Sequence, residues 1–315
     1  MNALPPPLPG TAHWAPPASK PEPPTLPIVA AYGAIAVLMA SLVASKYLLD
    51  AVVGFGWPVV VYVALLALAA YGPSLVWCRV ASRRWGTGDL GVDIGLQPRL
   101  ADLGWGPVVW LCAIGAQIAV AAVVVGLGIP VASNTDTLNE VRDDRTYVIA
   151  LVITAVVAAP IVEEMVFRGV VMRGLRSRLS IVPVVVVQGV LFGAAHFDPV
   201  RGTGNLGLVM VLAGVGIAFG VATAIFGRLG PAIVAHALFN GVILLVVLTG
   251  VADRLQDSAS AREEVAIVDQ PDVADTYGQR DAYRASATSI VGEGLDGLQR
   301  AGAEDRDVVE CGERF

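Results

Sequence analysis

The apolar residues of this chain fall in long runs rather than on one face of shorter segments. From Ile28 onward, stretches of mainly Val, Ala, Leu and Ile read as 28–46, 57–77, 107–127, 147–167, 181–199, 205–227 and 231–251. Each is close to the roughly 20 residues a helix needs to cross a bilayer at about 1.5 Å per residue. In hydrocarbon only helices and closed barrels satisfy the backbone, and runs this long predict helices. The predicted fold is all-α, a polytopic membrane helix bundle of seven spans, or eight if one segment is broken. A polar, proline-rich segment precedes the body: residues 1–27 hold ten of the twenty prolines, so no helix or packed core is expected there. Residues 253–315 lack sustained periodicity and read as a disordered or locally helical tail. The membrane body is therefore 28–252.

Composition sharpens the class. The 315 residues are 55% hydrophobic and 15% charged, against about 25% charged in soluble chains. A soluble enzyme, a nucleic-acid binder and a disulfide-stapled domain are disfavoured together. The formal net charge of −6 hides a division. The tail carries 15 Asp/Glu and 7 Arg, whereas the first 252 residues carry 12 acids and 14 Lys/Arg. The acidity belongs to the tail, and the body is slightly basic. Cys78, Cys112 and Cys311 are odd in number and far apart, which points to free thiols rather than to disulfides or a thiolate zinc site.

Short-loop basic residues set the expected orientation. The connection after the second span carries Arg79, Arg83, Arg84 and Arg99, and the one after the fourth carries Arg168, Arg173, Arg176 and Arg178. Between them, 128–146 is mostly acidic, with Asp136, Glu140, Asp143 and Asp144 against Arg142 and Arg145. Both Arg-rich connections are assigned to the cytoplasm, together with the N-terminus. Seven spans would leave the tail outside, and eight would return it.

Ionisable residues inside otherwise clean spans carry the chemistry, because a charge at the bilayer centre costs about 2.5–3.5 kcal/mol or more. There are three such clusters: Glu163-Glu164 with Arg168, His196 preceded by Phe192, and His236 with Asn240. Glu164 and Arg168 are four apart in the favoured acid-before-base order and can pair along one face. Glu163 lies about 100° around the helix and is free for another partner. Pro160 removes a backbone hydrogen bond and should kink this helix. Phe192 lies one turn before His196 and could brace its ring, while His236 and Asn240 share a face.

Numbering argues for convergence. Glu163 and His196 are 33 residues apart with a turn near Leu179-Ser180, so a helical hairpin sets them level, about 24 Å from its tip. Gly189 and Gly193 would let backbones approach, and Gly216 and Gly220 form a second small-residue seam. His236 follows Gly230-Pro231 by six residues, so for the clusters to meet the basic tip must project beyond the membrane surface. The site would then lie about 9 Å deep on the cytoplasmic side.

Plain structural readings compete. Glu164 with Arg168 reads first as a structural ion pair, and Arg173, Arg176 and Arg178 as the positive-inside signal. A lone histidine would be a packing hydrogen bond as often as not, but a glutamate and two histidines converging from three segments are harder to dismiss. Gly86-Thr87-Gly88-Asp89 spells the G-x-G-D of intramembrane aspartyl proteases but lies in a polar loop. Gly72-Pro73-Ser74-Leu75 lacks the last glycine of the rhomboid motif, and H-E-x-x-H is absent.

The ordered set Glu163-Glu164-x-x-x-Arg168, Phe192-x-x-x-His196 and His236-x-x-x-Asn240 resembles the CPBP family of intramembrane proteases, the CAAX-protease and bacteriocin-processing group. The resemblance spans 147–251 and leaves out both termini. It implies hydrolysis of a peptide bond in a membrane-embedded or lipid-anchored substrate, within the lipid bilayer and with no nucleic acid. Glu163, desolvated in the bilayer, suits the general base. His196 can orient the attacking water and shuttle its proton. His236 and Asn240 can donate to the developing oxyanion, worth about 3–4 kcal/mol per donor. Glu164, Arg168 and Phe192 would support the site.

A second reading uses the same atoms: Glu163, His196 and His236 could bind Zn²⁺ or another divalent metal with a position open for water. The metal-free mechanism is preferred. The Ala/Val/Arg-rich composition resembles that of a GC-rich bacterium, where peptide maturation or immunity is the expected setting in the plasma membrane. Two other functions use the same residues: an inactive membrane scaffold or immunity protein of the same fold, and a transporter or proton relay.

Overall fold

The computed structural model describes residues 26–132, 145–197, 202 and 204–251. The N-terminal segment 1–25, most of the acidic connection, and the tail with Cys311 lie outside them. The chain divides into a unit ending at Thr249 and a second, Gly250–Phe315, of which only Gly250 and Val251 are described.

The described residues are helical throughout, apart from turns. Helix α1 spans Ile28–Val52, α2 Val59–Trp85, α3 Leu90–Asp93 and α4 Asp102–Gly126. A continuous helix, α5, runs Arg145–Arg176. It is followed by α6 Ile181–Ala194, α7 Asn205–Phe226 and α8 Gly230–Leu248. Six are long and apolar enough to cross a membrane, and α6 is a shorter apolar helix. The seven expected runs each have their helix, and the polytopic bundle is the fold observed.

Helix α5 is the axis. Helices α1 and α2 pair with each other and pack on it, α6 and α8 also pack on it, and α4 packs on α7 and α8. Helix α5 is about 48 Å long at the usual rise, well beyond the roughly 30 Å of a hydrocarbon core. It is widened to π-helix at Thr154–Ala158 and Met165–Val171, and the α-helical turn between them, Ala159–Glu164, carries both glutamates. Insertions of this kind concentrate at functional sites. The first π segment ends two residues before Pro160.

Three connections gather at one end of the bundle. The Leu229 amide donates to the Gly95 carbonyl at 2.9 Å, tying the α7–α8 turn to the α3–α4 connection. A Cβ on Gly169 would meet Ile94, and one on Gly174 would meet Ala31 and the Pro27 carbonyl. The α2–α4 and α5–α6 connections and the start of α1 therefore share an end. At the other end, the Ala132 amide donates to the Gly204 carbonyl at 3.0 Å. Seven alternating helices place Pro27 and Thr249 at opposite ends.

Two expectations change here. Arg168 and Arg173 are not in a connection: α5 continues through them, and both are buried. Arg173 leaves the positive-inside tally with Arg168, so Arg176 and Arg178 remain for that connection. The predicted span 181–199 also stops early, at Ala194. Pro199 disfavours helix at the residue before it, and the His196 and Phe197 amides already bond three residues back, to Gly193 and Ala194. Cys78 and Cys112 are free thiols, one buried and one exposed.

Candidate active site

The site is built on the turn of α5 between its two π segments. Glu164 points into protein, fully buried, and its Oε1 accepts from Arg168 Nη1 at 2.8 Å. Arg168 is itself 1% exposed. Its other nitrogen, Nη2, donates to the Gly216 carbonyl of α7 at 3.0 Å. Its guanidinium lies 4.4 Å from the Phe192 ring centroid and 5.3 Å from that of Phe219. Two aromatic faces and two oxygens stand in for water around this buried cation, while its Nε has no hydrogen-bond partner among the described residues. Gln188 Nε2 reaches the same Gly216 carbonyl at 2.9 Å.

That convergence depends on close helix approach. A Cβ on Gly189 would meet the backbone of Ile217, one on Gly193 that of Val209 and Ala213, and one on Gly216 that of Gly189. The two glycine pairs expected as separate seams are the two sides of one α6–α7 contact.

His236, on α8, is buried and places Nδ1 2.9 Å from Glu164 Oε1. Oε1 accepts from both partners, so Nδ1 carries the hydrogen and donates it. In the neutral ring, Nε2 is then the lone-pair nitrogen, and it stands 3.9 Å from Glu163 Oε2. His196 follows the same logic. Its Nδ1 is 2.9 Å from the Phe192 carbonyl, which can only accept, so its Nε2 is also left as an acceptor. The Phe192 ring lies 4.9 Å from that of His196 and 5.7 Å from that of His236, the bracing expected for His196 and a second one besides.

Glu163 is turned the other way. Its side chain is 14% exposed. Oε1 accepts from the Tyr71 hydroxyl of α2 at 3.3 Å, while Oε2 is buried without a hydrogen bond among the described residues. Asn240 Nδ2 donates to the Ala155 carbonyl at 2.8 Å. This carbonyl needs a donor because the Ala159 amide is taken by Thr154 in the π register, and the next residue, Pro160, has no N–H. A proline and an asparagine 80 positions apart thus complete one backbone group.

A cavity of about 300 Å³ joins these groups, with Glu163, His196, His236, Asn240 and Tyr71 all on its wall. The residues expected to converge do so. Sequence reasoning passed over Tyr71, Gln188 and Phe219. Tyr71 and Gln188 carried a signal, each being a polar-tipped side chain within an apolar run. Among the described residues no three of His, Cys, Asp and Glu stand where they could hold one metal ion.

Residues 145–242 match a family model described as Rce1-like, type II CAAX prenyl endopeptidase. No curated protein and no solved structure matches the chain. The match holds all seven motif residues and excludes Tyr71. It agrees with the resemblance carried by the three motifs, and with the apolar helices it makes this a multi-pass membrane protein similar to the CAAX-type endopeptidases.

Proposed function

We propose, from the match of residues 145–242 to type II CAAX prenyl endopeptidases, that this protein hydrolyses a peptide bond of a membrane-embedded or lipid-anchored substrate through a water activated by Glu163. The observation that carries the reading is the division of labour at Glu163: Oε1 is held by Tyr71, while Oε2 is bare and faces His236 Nε2 across the cavity.

Glu163 Oε2 takes a proton from water as the water oxygen attacks the scissile carbonyl carbon. The Nε2 lone pair of His236, which faces Oε2, accepts the water's other hydrogen and so orients it. The carbonyl π electrons move to oxygen. The second amide hydrogen of Asn240 stabilises the oxyanion, whereas the neutral His236 ring, with Nδ1 committed to Glu164, has no hydrogen at Nε2 to add. Collapse breaks the C–N bond, and the proton held by Glu163 passes, by way of His196, to the departing nitrogen. Tyr71 touches no reacting atom in this scheme. It is a positioning residue that fixes which carboxylate oxygen is the base.

The bundle end bearing Arg79, Arg83, Arg84, Arg176 and Arg178 is assigned to the cytoplasm by the positive-inside rule, and the start of α1 with it.

The test compares peptide termini in membranes from cells making wild type or Glu163→Gln at matched abundance. New termini found with wild type and missing with Glu163→Gln are expected. Equal termini from two folded, abundant proteins would overturn the reading in favour of a scaffold.

A further inference from the structure

The connection from α2 to α4 carries exposed apolar residues that the candidate site does not use. Leu100 is 88% exposed, the most exposed large apolar side chain among the described residues, with Leu103 at 65% and Trp105 at 47%. The turn that presents them is fixed on both sides. The Arg99 amide donates to Asp102 Oδ2, and the Asp102 amide donates to the Arg99 carbonyl, both at 2.8 Å. Asp102 Oδ1 accepts from Arg228 Nε at 2.9 Å and from Nη2 at 2.6 Å, which ties the turn to the residues just before α8. A leucine held out by this many bonds is a built feature of the surface.

We infer that this connection is a membrane-surface anchor, which sets Leu100, Leu103 and Trp105 into the interfacial layer of the cytoplasmic leaflet with Arg99 on anionic lipid headgroups. Three observations carry this. The first is continuity. The Leu103 amide bonds to the Leu100 carbonyl at 3.1 Å, so the helical path begins before α4 itself. Along that path Leu100, Leu103, Leu111 and Ile118 fall within about 60° of one line. Leu111 and Ile118 are exposed on a helix apolar enough to cross a membrane, so Leu100 extends the lipid-facing stripe of α4.

The second is length. From Leu100 to the exposed Leu127 the rise is about 40 Å. A hydrocarbon core is about 30 Å thick, and about 40–45 Å with the headgroup layers. The ends of so long an apolar stripe therefore lie in the interfaces. The third is charge and residue type. Arg79, Arg83, Arg84, Arg99 and Arg178 are exposed at this end of the bundle, while Asp93 and Asp102 are buried in hydrogen bonds. Such a face suits the anionic headgroups of a cytoplasmic leaflet. Trp105, packed 5.2 Å from the Phe226 ring, is of the type that collects at that level.

The test attaches the fluorophore NBD to Leu100→Cys, or to Gln97→Cys in the same connection, in the full chain with Cys78, Cys112 and Cys311 changed to alanine. Each protein is reconstituted in vesicles of phosphatidylethanolamine and phosphatidylglycerol. At position 100, nitroxide-labelled lipid should quench the emission and aqueous iodide should not, whereas iodide should quench at position 97. Nitroxide-labelled phosphatidylglycerol should quench position 100 more than its phosphatidylcholine counterpart does. Arg99→Gln should lower that preference by up to about fivefold, the factor one basic residue contributes at an anionic surface. Equal iodide quenching at 100 and 97 would overturn the anchor, because the turn would then lie in water. Protection of position 100 from both quenchers would also overturn it, because protein would then cover Leu100. That cover is a second copy if it fades on dilution in lipid, and another segment of this chain if it persists. An unchanged headgroup preference in Arg99→Gln would overturn the role given to Arg99. None of these outcomes depends on the proteolytic reading.

Discussion

His236 Nδ1 stands 2.9 Å from Glu164 Oε1, the same oxygen that takes Arg168 at 2.8 Å. A pair that looks like helix glue from its four-residue spacing is therefore also the clamp on a ring from another helix. Arg168 secures Glu164 and holds α7 through Gly216, and Glu164 sets the tautomer and direction of His236. The structural and functional readings of this ion pair are both served by one geometry.

Removing one partner separates the two roles. Arg168→Met would leave the Glu164 carboxylate buried beside aromatic rings with His236 as its one remaining hydrogen-bond donor. A loss of about 3–5 kcal/mol of stability is expected, the range for breaking a buried pair. Arg168→Met combined with Glu164→Gln should regain much of that loss, because no bare charge remains, yet it should not regain turnover. The unfolding midpoint in detergent measures the first effect and cleavage of an identified substrate the second. A single variant as stable as wild type would show that the pair does not hold the bundle.

Tyr71→Phe removes one hydroxyl and keeps the ring. The phenol donates to a carboxylate, and charge-assisted hydrogen bonds of this kind are worth about 1.5–3 kcal/mol. If that bond holds Glu163 in its reactive direction, kcat should fall about tenfold to a hundredfold while KM and the unfolding midpoint stay near wild type. A rise in KM at constant kcat would place Tyr71 in substrate binding instead.

Asp93 predicts a pH dependence outside the membrane spans. It is fully buried, and desolvation pushes its carboxyl upward. Hydrogen bonds from the Ser82 and Thr87 hydroxyls and from the Thr87 and Gly88 amides outweigh that and hold it below the usual aspartate range. A folded value below the unfolded one means the carboxylate's contribution is complete above the unfolded value, about pH 4. It is lost as the pH falls through the folded value. Stability of the α2–α4 connection should therefore decline on acidification below about pH 4. Asp93→Asn should be less stable at neutral pH and show a flatter decline. Chemical denaturation in detergent across pH 3–7 would check this, and parallel curves for both proteins would sink it.

The long apolar runs determined seven helices because in hydrocarbon only helices and closed barrels satisfy the backbone, and runs this long do so as helices. The cost of burying charged and polar groups in lipid marks Glu163, Glu164, Arg168, His196, His236 and Asn240, and the 33-residue interval sets Glu163 and His196 near one level. Local spacing also foresaw the Glu164–Arg168 pair and the Phe192 brace, since contacts four residues apart are fixed by helix geometry alone.

What spacing could not reach were contacts between helices. Tyr71 meets Glu163 across 92 positions and Asn240 meets Ala155 across 85. The π register that strips the Ala155 carbonyl of its donor is a property of α5 as packed. The nitrogen left as an acceptor on each histidine depends on Glu164 and the Phe192 carbonyl occupying Nδ1 of His236 and His196. The sequence by itself determined which residues would be costly to leave alone in lipid. The tertiary structure decided which atom of each one is satisfied, and so which atom is left free to react.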